Sequence, residues 1–153
     1  MPTNKKIKMI IFDWGRTLYD NDNSGLFPGA VEILEYLSKK YILSIVSLVT
    51  RETPGERRKL IKDSGVGGYF ASIGITAKDK NRMYRLCMNR HNMSPEDCLI
   101  VDDRVVRGIS WGNRKGCATI WVCQGKFCQE LPDKNSGFPT FTIRDIGELR
   151  GLL

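Results

Sequence analysis

The stretch Ile7-Lys8-Met9-Ile10-Ile11-Phe12-Asp13-Trp14-Gly15-Arg16-Thr17-Leu18 decides the fold. Its apolar run is strand-sized and stops at an aspartate, after which the chain turns polar and admits a glycine. This predicts a first strand over Ile7–Asp13 with a carboxylate at its carboxyl end. An ionised carboxylate at the end of a buried strand needs a partner, because unpaired charge is costly away from water. One short segment therefore predicts both the first strand of a sheet and the centre of a site.

Outward from that strand, apolar runs alternate with amphipathic helical stretches, the pattern of a parallel sheet covered on both faces. Pro28 opens a helix at a favoured early position, with Val31, Leu34 and Leu37 on one face. Ile42–Val49 is the second strand, and a helix from about Gly55 to Asp63 is stopped by Ser64-Gly65. Phe70–Ile75 is a third strand. Asn81–Asn92 carries Met83, Tyr84, Leu86, Cys87 and Met88 in a helical pattern. Cys98–Asp102, entered through Ser94-Pro95-Glu96-Asp97, is a fourth strand. A helix over Ile109–Lys115 ends at Gly116, and Ala118–Val122 is a fifth strand. Gly125–Gly137 is an irregular loop, followed by a short strand at Phe141–Ile143 and a helical turn or two from Asp145. The fold class is α/β: a three-layer, Rossmann-like parallel sheet in a single domain over residues 1–153.

Asp13, Ser47, Lys78, Asp102 and Asp103 all fall at or just after strand ends. Open parallel sheets bind ligands beyond the carboxyl ends of their strands, near the reversal in strand order. Separate segments thus converge on one place.

The four segments resemble the motifs of the haloacid dehalogenase-like (HAD) hydrolase superfamily. Ile10-Ile11-Phe12-Asp13-Trp14-Gly15-Arg16-Thr17-Leu18 is similar to the first, an apolar strand ending in Asp-x-x-x-Thr-Leu. Ile45-Val46-Ser47 resembles the second. Lys78-Asp79-Lys80-Asn81-Arg82-Met83-Tyr84 has the layout of the third, a lysine shortly before a helix, with Lys80 a rival to Lys78. Leu99-Ile100-Val101-Asp102-Asp103 resembles the fourth, and the resemblance runs over nearly the whole chain. It implies a HAD-like hydrolase in which Asp13 attacks phosphorus and forms an aspartyl-phosphate, splitting one difficult displacement into two easier steps. It implies Mg²⁺ as cofactor, held by Asp13, Asp102, Asp103 and the backbone carbonyl of Gly15, since a hard cation prefers oxygen donors and offsets the repulsion between two anions. Ser47, Lys78 and the backbone amides around Trp14 and Gly15 would bind the phosphoryl oxygens.

Three positions depart from the family pattern. Most HAD phosphatases carry a second aspartate two residues after the nucleophile, which protonates the leaving group; this chain has Gly15 there. That loss bears hardest on alkyl phosphate esters and least on acyl phosphates, anhydrides and phosphonates. Arg16 replaces the glycine that usually follows, and Gly108 stands where the family often has another acid after its fourth motif. Besides a Mg²⁺-dependent phosphatase or phosphotransferase, two other functions fit the motifs. One is a catalytically weak module that binds phosphorylated ligands. The other is a haloacid dehalogenase, disfavoured because that branch works without metal and lacks the acidic pair.

About ten residues separate Leu18 from Pro28, and one helix and one strand fill the space between Ser47 and Lys78, so no cap domain fits. An uncapped site goes with a bulky phosphorylated substrate, or with a neighbouring subunit as lid. Trp14, Tyr19 and Phe27 are candidate contacts near the entrance. The formal charge of +7 admits an anionic partner such as nucleic acid, but no aromatic-interleaved basic stripe accompanies it. Apolar runs fall short of the roughly 18 residues of a membrane span and of a signal-peptide core, so a cytoplasmic protein is expected. The five cysteines form no Cys-x-x-Cys pair and are expected as free thiols, with a zinc site at Cys123 and Cys128 the lesser alternative.

Overall fold

The computed structural model describes residues 6–153. Its strands are β1 (Met9–Phe12), β2 (Tyr19–Asp20), β3 (Gly25–Leu26), β4 (Ile42–Leu48), β5 (Ser72–Thr76), β6 (Cys98–Asp102), β7 (Ala118–Val122) and β8 (Phe141–Ile143). Its helices are α1 (Ala30–Ser38), α2 (Pro54–Asp63), α3 (Lys80–Arg90), α4 (Ser110–Lys115) and α5 (Leu149–Leu152). Six strands pair in parallel in the order β5-β4-β1-β6-β7-β8, and β2 and β3 form a separate small hairpin.

Alternation along β1 sets the layers. Ile10 and Phe12 enter a core shared with Leu34 and Leu37 of α1, Ile61 of α2 and Leu149 of α5. Met9 and Ile11 point the other way, against Tyr84, Cys87 and Met88 of α3 and Trp111 of α4. The chain builds β1, β4 and β5 outward on one side, then returns to lay β6, β7 and β8 on the other. That reversal beside β1 opens a crevice at the carboxyl ends of β1 and β6, where Asp13 and Asp102–Asp103 lie.

The predicted elements are present with shifted edges. In α1 the buried face is Ala30, Ile33, Leu34 and Leu37, while Val31 is exposed. The third predicted strand begins later, at Ser72, because a short helical turn at Gly67–Tyr69 accepts the Phe70 N–H. Helix α2 starts at Pro54 under a capping box between Thr53 and Glu56. Helix α3 starts at Lys80, one residue before the sequence predicts, because the Asp79 side chain accepts the Arg82 N–H. Leu86, predicted on its apolar face, is exposed. A π-type turn at Val105–Ile109 precedes α4. Cys123 and Cys128 are joined in a disulfide rather than free, leaving Cys87, Cys98 and Cys117 as buried thiols. Five residues of separation let the chain fold back over the turn at Lys126–Gln129 and bring the two cysteines together.

Candidate active site

Phe12 pairs with Val101, and the Asp13 N–H donates to the Val101 carbonyl at 2.9 Å, so Asp13 leaves the sheet beside Asp102. The two carboxylates share one cation. Lys80 Nζ lies 2.9 Å from Asp13 Oδ1 and 2.8 Å from Asp102 Oδ2. The Thr17 hydroxyl donates to the other Asp13 oxygen at 3.2 Å. Asp102 is wholly enclosed, and its oxygens are fully engaged. Oδ1 accepts the Arg104 N–H at 3.0 Å, and Oδ2 accepts the Gly108 N–H at 3.1 Å besides Lys80. A Cβ at Gly108 would lie 2.3 Å from Asp102 Oδ2, so only glycine allows the turn after β6 to close on that carboxylate. Asp103 turns toward the cleft, its backbone fixed by the Trp121 indole N–H at 2.9 Å from its carbonyl.

Burial opposes charge on every member of this group, and the neighbours decide which members keep it. Burial and the adjacent Asp102 carboxylate raise Asp13, with Lys80 pulling against them. Burial also acts against ionised Asp102, but the Lys80 ammonium and its hydrogen bond outweigh it and hold the carboxyl below the usual range. Lys80 loses hydration yet is held well above the usual lysine value by Asp102 and Asp13. Asp103, buried and facing the Asp13 and Asp102 carboxylates, is pushed up to about 9. Oxygen atoms of Asp13, Asp102 and Asp103 lie within 4.8 Å of one another. Three acidic side chains against one lysine leave an excess of acid groups in a buried place, and Asp103 keeps its proton at neutral pH. The donor set and that excess fit a divalent cation with hard oxygen preference.

The sequence-predicted residues divide here. Asp13, Gly15 and Asp103 line a cleft of about 620 Å³ at the carboxyl ends of the strands, with Tyr19 and Arg16. Lys78 does not reach it: Lys78 is exposed ahead of α3, and Lys80, the first residue of that helix, is the lysine against the carboxylates. A helix starting at Lys80 turns that side chain inward onto the β1–β6 crevice. Ser47 is fully buried and stands back from the cleft, where its hydroxyl accepts from Arg57 Nη1 at 2.6 Å. Arg57 itself lines the cleft and is also paired with Glu52. Thr50, three residues on, is the β4-side hydroxyl at the cleft wall. The Trp14 side chain is enclosed in the core, stacked on Tyr19 with ring centroids 5.6 Å apart, and its indole N–H has no partner among the described residues. Phe27 packs on the core rather than into the cleft.

Arg16 reaches the site. Its φ of 62° is left-handed, which explains why glycine is the usual residue there, and its side chain lines the cleft with Asp22 as partner at 3.3 Å. Three participants escaped the sequence reading. Gln124 Nε2 donates to the carbonyls of Arg16 and Thr17 at 3.1 and 3.3 Å, pinning the loop after the nucleophile. Tyr84 lies under Lys80, whose Nζ is 5.7 Å from its ring centroid, and stacks on Trp111. Arg57 sits on a polar helix face, where nothing in the pattern separates it from Arg58. For Tyr84 a signal existed: it falls four residues after Lys80, on the same helical face.

Comparison with known proteins agrees with this fold. The HAD-hydrolase-like family model matches residues 75–149, from the end of β5 through the start of α5. The solved structure of the "putative HAD-hydrolase YfnB" of Bacillus subtilis bound to magnesium superposes with a TM-score of 0.81 at 17% identity, over 97% of this chain and 99% of that one. The chain has the HAD-like fold, and just under half of it matches the HAD-hydrolase-like family model. L-2-haloacid dehalogenase of Xanthobacter autotrophicus shares the HAD-like fold at a TM-score of 0.78 and 12% identity, over 95% of this chain and 98% of that one. In sequence, "Probable phosphatase YqeG" of Bacillus subtilis is 26% identical over 118 residues. That match takes in 77% of this chain and 65% of the relative, so the chain spans less than two thirds of the curated relative's length. Within the HAD-like fold, the hairpin β2–β3 is all that stands between β1 and α1, and α2 is all the helix between β4 and β5. No cap domain is present among the described residues. None of the helices described is long and apolar enough to cross a membrane.

Proposed function

We propose that this chain is a Mg²⁺-dependent phosphohydrolase or phosphotransferase working through an aspartyl-phosphate on Asp13. The observation that carries the proposal is the placement of Asp13: at a strand end, facing an open cleft, one oxygen held by Lys80 and the other by Thr17. That arrangement aims the carboxylate, and Lys80 works against the rise that burial and Asp102 impose on it.

A divalent cation bound there would offset the repulsion between the attacking carboxylate and the phosphoryl oxygens. Asp13, Asp103 and the backbone carbonyl of Gly15, all three residues lining the cleft, would hold it. Asp102, with its oxygens engaged by Lys80 and backbone N–H groups, is a positioning residue that holds Lys80 and the turn at Gly108. The Asp13 oxygen bonds to phosphorus as the bond to the leaving oxygen breaks. Water then attacks the acyl phosphate, returning Asp13 and releasing phosphate. With Gly15 in place of an acid, the leaving oxygen draws its proton from solvent or departs as a stable anion. Substrates with acidic leaving groups are therefore favoured, acyl phosphates above alkyl monoesters.

The same glycine favours one other reading, a phosphate-ligand-binding module of low activity. The test is phosphate release from acetyl phosphate, sugar and nucleotide monoesters and a phosphonate, with and without Mg²⁺, beside Asp13→Asn. Metal-dependent release abolished by Asp13→Asn is expected. Equal activity in the variant removes Asp13 from its role. Binding without turnover on every substrate selects the module, and halide release from haloacids selects the dehalogenase.

A further inference from the structure

The cleft wall carries more positive charge than its own carboxylates balance. Arg16 is paired with Asp22, Arg57 with Glu52, and Arg104 with Glu130. Lys80 is committed to Asp13 and Asp102. Arg51, Arg107 and Lys126 also line this cleft, and none of the three forms an ion pair among the described residues. They arrive from three segments, after β4, after β6 and after β7, all at the end of the sheet where Asp13 lies. Arg107 is half-buried, and Arg51 and Lys126 are exposed.

The turn that presents Lys126 is well anchored. The disulfide Cys123–Cys128 closes it, Gln124 ties it to the loop after Asp13, and the Phe127 ring lies 3.8 Å from the Arg104 guanidinium. One phosphoryl group at Asp13 is already served by Lys80 and the proposed cation. Cations without a carboxylate partner on the wall of one concave site answer to charge elsewhere on the ligand. A cleft of about 620 Å³ is of a size for a small molecule.

We propose that Arg51, Arg107 and Lys126 form a second anion subsite, and that the substrate is a small phosphorylated molecule bearing a further phosphate or carboxylate. This rests on the reading of Asp13 as the reacting end of the cleft. Each charge-assisted contact made there strengthens binding of the doubly anionic ligand over its singly anionic twin.

The experiment measures equilibrium binding to the full chain carrying Asp13→Asn, with Mg²⁺ present, using matched pairs. Adenosine 5′-monophosphate is set against adenosine 3′,5′-bisphosphate, and glycerol 3-phosphate against 3-phosphoglycerate. The first pair probes an added phosphate and the second an added carboxylate. An added anion is expected to tighten binding about tenfold. Arg51→Gln and Arg107→Gln, each made in that protein, are expected to shrink this ratio severalfold, and so is raising the salt from about 0.05 M to about 0.5 M. A ratio below about twofold in both pairs overturns the proposal, as does loss of affinity that is equal for both members of a pair. Absence of measurable binding by the bisphosphate overturns it too. Turnover of the same compounds by the unaltered chain reports separately on Asp13. A binding preference with no Mg²⁺-dependent turnover keeps the subsite and removes the nucleophile, whereas turnover without preference does the reverse.

Discussion

Replacing Lys80 by methionine strips the cation from two carboxylates at once. The Lys80 side chain is 6% exposed and bridges Asp13 at 2.9 Å and Asp102 at 2.8 Å, the latter with no exposure at all. Removing one partner of a buried ion pair costs about 3–5 kcal/mol. Protonation sets a ceiling on the loss. An ordinary aspartic acid with a pKa of 3.8 takes up a proton at pH 7 for about 4 kcal/mol, and at pH 5 for less than about 2. Once that cost is below the cost of an unpaired charge, Asp102 binds the proton. In the intact protein its carboxyl is held below 3.8, so it stabilises the fold above that pH and stops doing so as pH falls through the lower, folded value. In Lys80→Met the folded value lies above 3.8 instead, and stability falls as pH rises from 4 to 7. We expect Lys80→Met to lose about 3–4 kcal/mol at pH 7 and about half of that at pH 5. Exposed Lys78→Met should stay within about 0.5 kcal/mol of the parent. Urea unfolding in EDTA, followed by the fluorescence of the buried Trp14, Trp111 and Trp121, measures all three proteins. A loss under about 1 kcal/mol at pH 7, or a loss that does not narrow at pH 5, refutes the reasoning.

Gly108→Ala would place a methyl group 2.3 Å from Asp102 Oδ2 and 2.6 Å from the Tyr84 hydroxyl, so thermal unfolding should register a loss of about 1–3 kcal/mol, with none expected at open Gly68. Gly15→Asp meets only the exposed Asn21 amide, 3.3 Å from the new Cβ, so the variant should fold. Phosphate release from an alkyl monoester should then rise about a hundredfold while acetyl phosphate changes little, and an equal gain on both would show that the missing proton donor is not what limits the reaction. Burial pushes the Cys117 thiol up to about 12 and raises Cys87 and Cys98 as well, leaving almost no thiolate at pH 8. Mass spectrometry after iodoacetamide should count no rapidly labelled cysteine in the native oxidised chain, three after unfolding and all five after unfolding with reductant.

What was legible in the sequence is what depends on local pattern. The run Met9–Phe12 is apolar on both faces, and that alone implies a covered parallel strand ending at Asp13. Cys98–Asp102 reads the same way, so the crevice between the two and the acids in it could be placed before any coordinates. The lysine was not so legible. Lys78 and Lys80 are two residues apart with the same chemistry, and which one faces inward depends on where α3 starts. That start is set by the Asp79 side chain capping the Arg82 N–H, a one-residue matter that apolar periodicity does not resolve. Ser47 was placed in its strand correctly, yet its side chain faces α2 and Arg57 rather than the cleft. Contacts such as Gln124 on the Arg16 carbonyl link positions 108 residues apart, and no pattern along the chain carries them.

The glycine at position 15 and the unpaired cations of the cleft wall are best understood together. Gly15 offers no side chain to deliver a proton, while three cations on the cleft wall form no ion pair among the described residues. The Arg51 and Arg107 guanidinium groups do not give up a proton to a leaving oxygen, but they stabilise negative charge that appears on it or near it. On the proposed reading, the positive wall tolerates departure as an anion where an acid would otherwise be required, most effectively for a ligand anchored there by a second charge. Selectivity for a doubly anionic substrate and indifference to a missing acid then have one electrostatic origin. On that account Gly15→Asp and Arg107→Gln act on opposite halves of the same balance. The first should relax the dependence on a good leaving group, and the second should sharpen it.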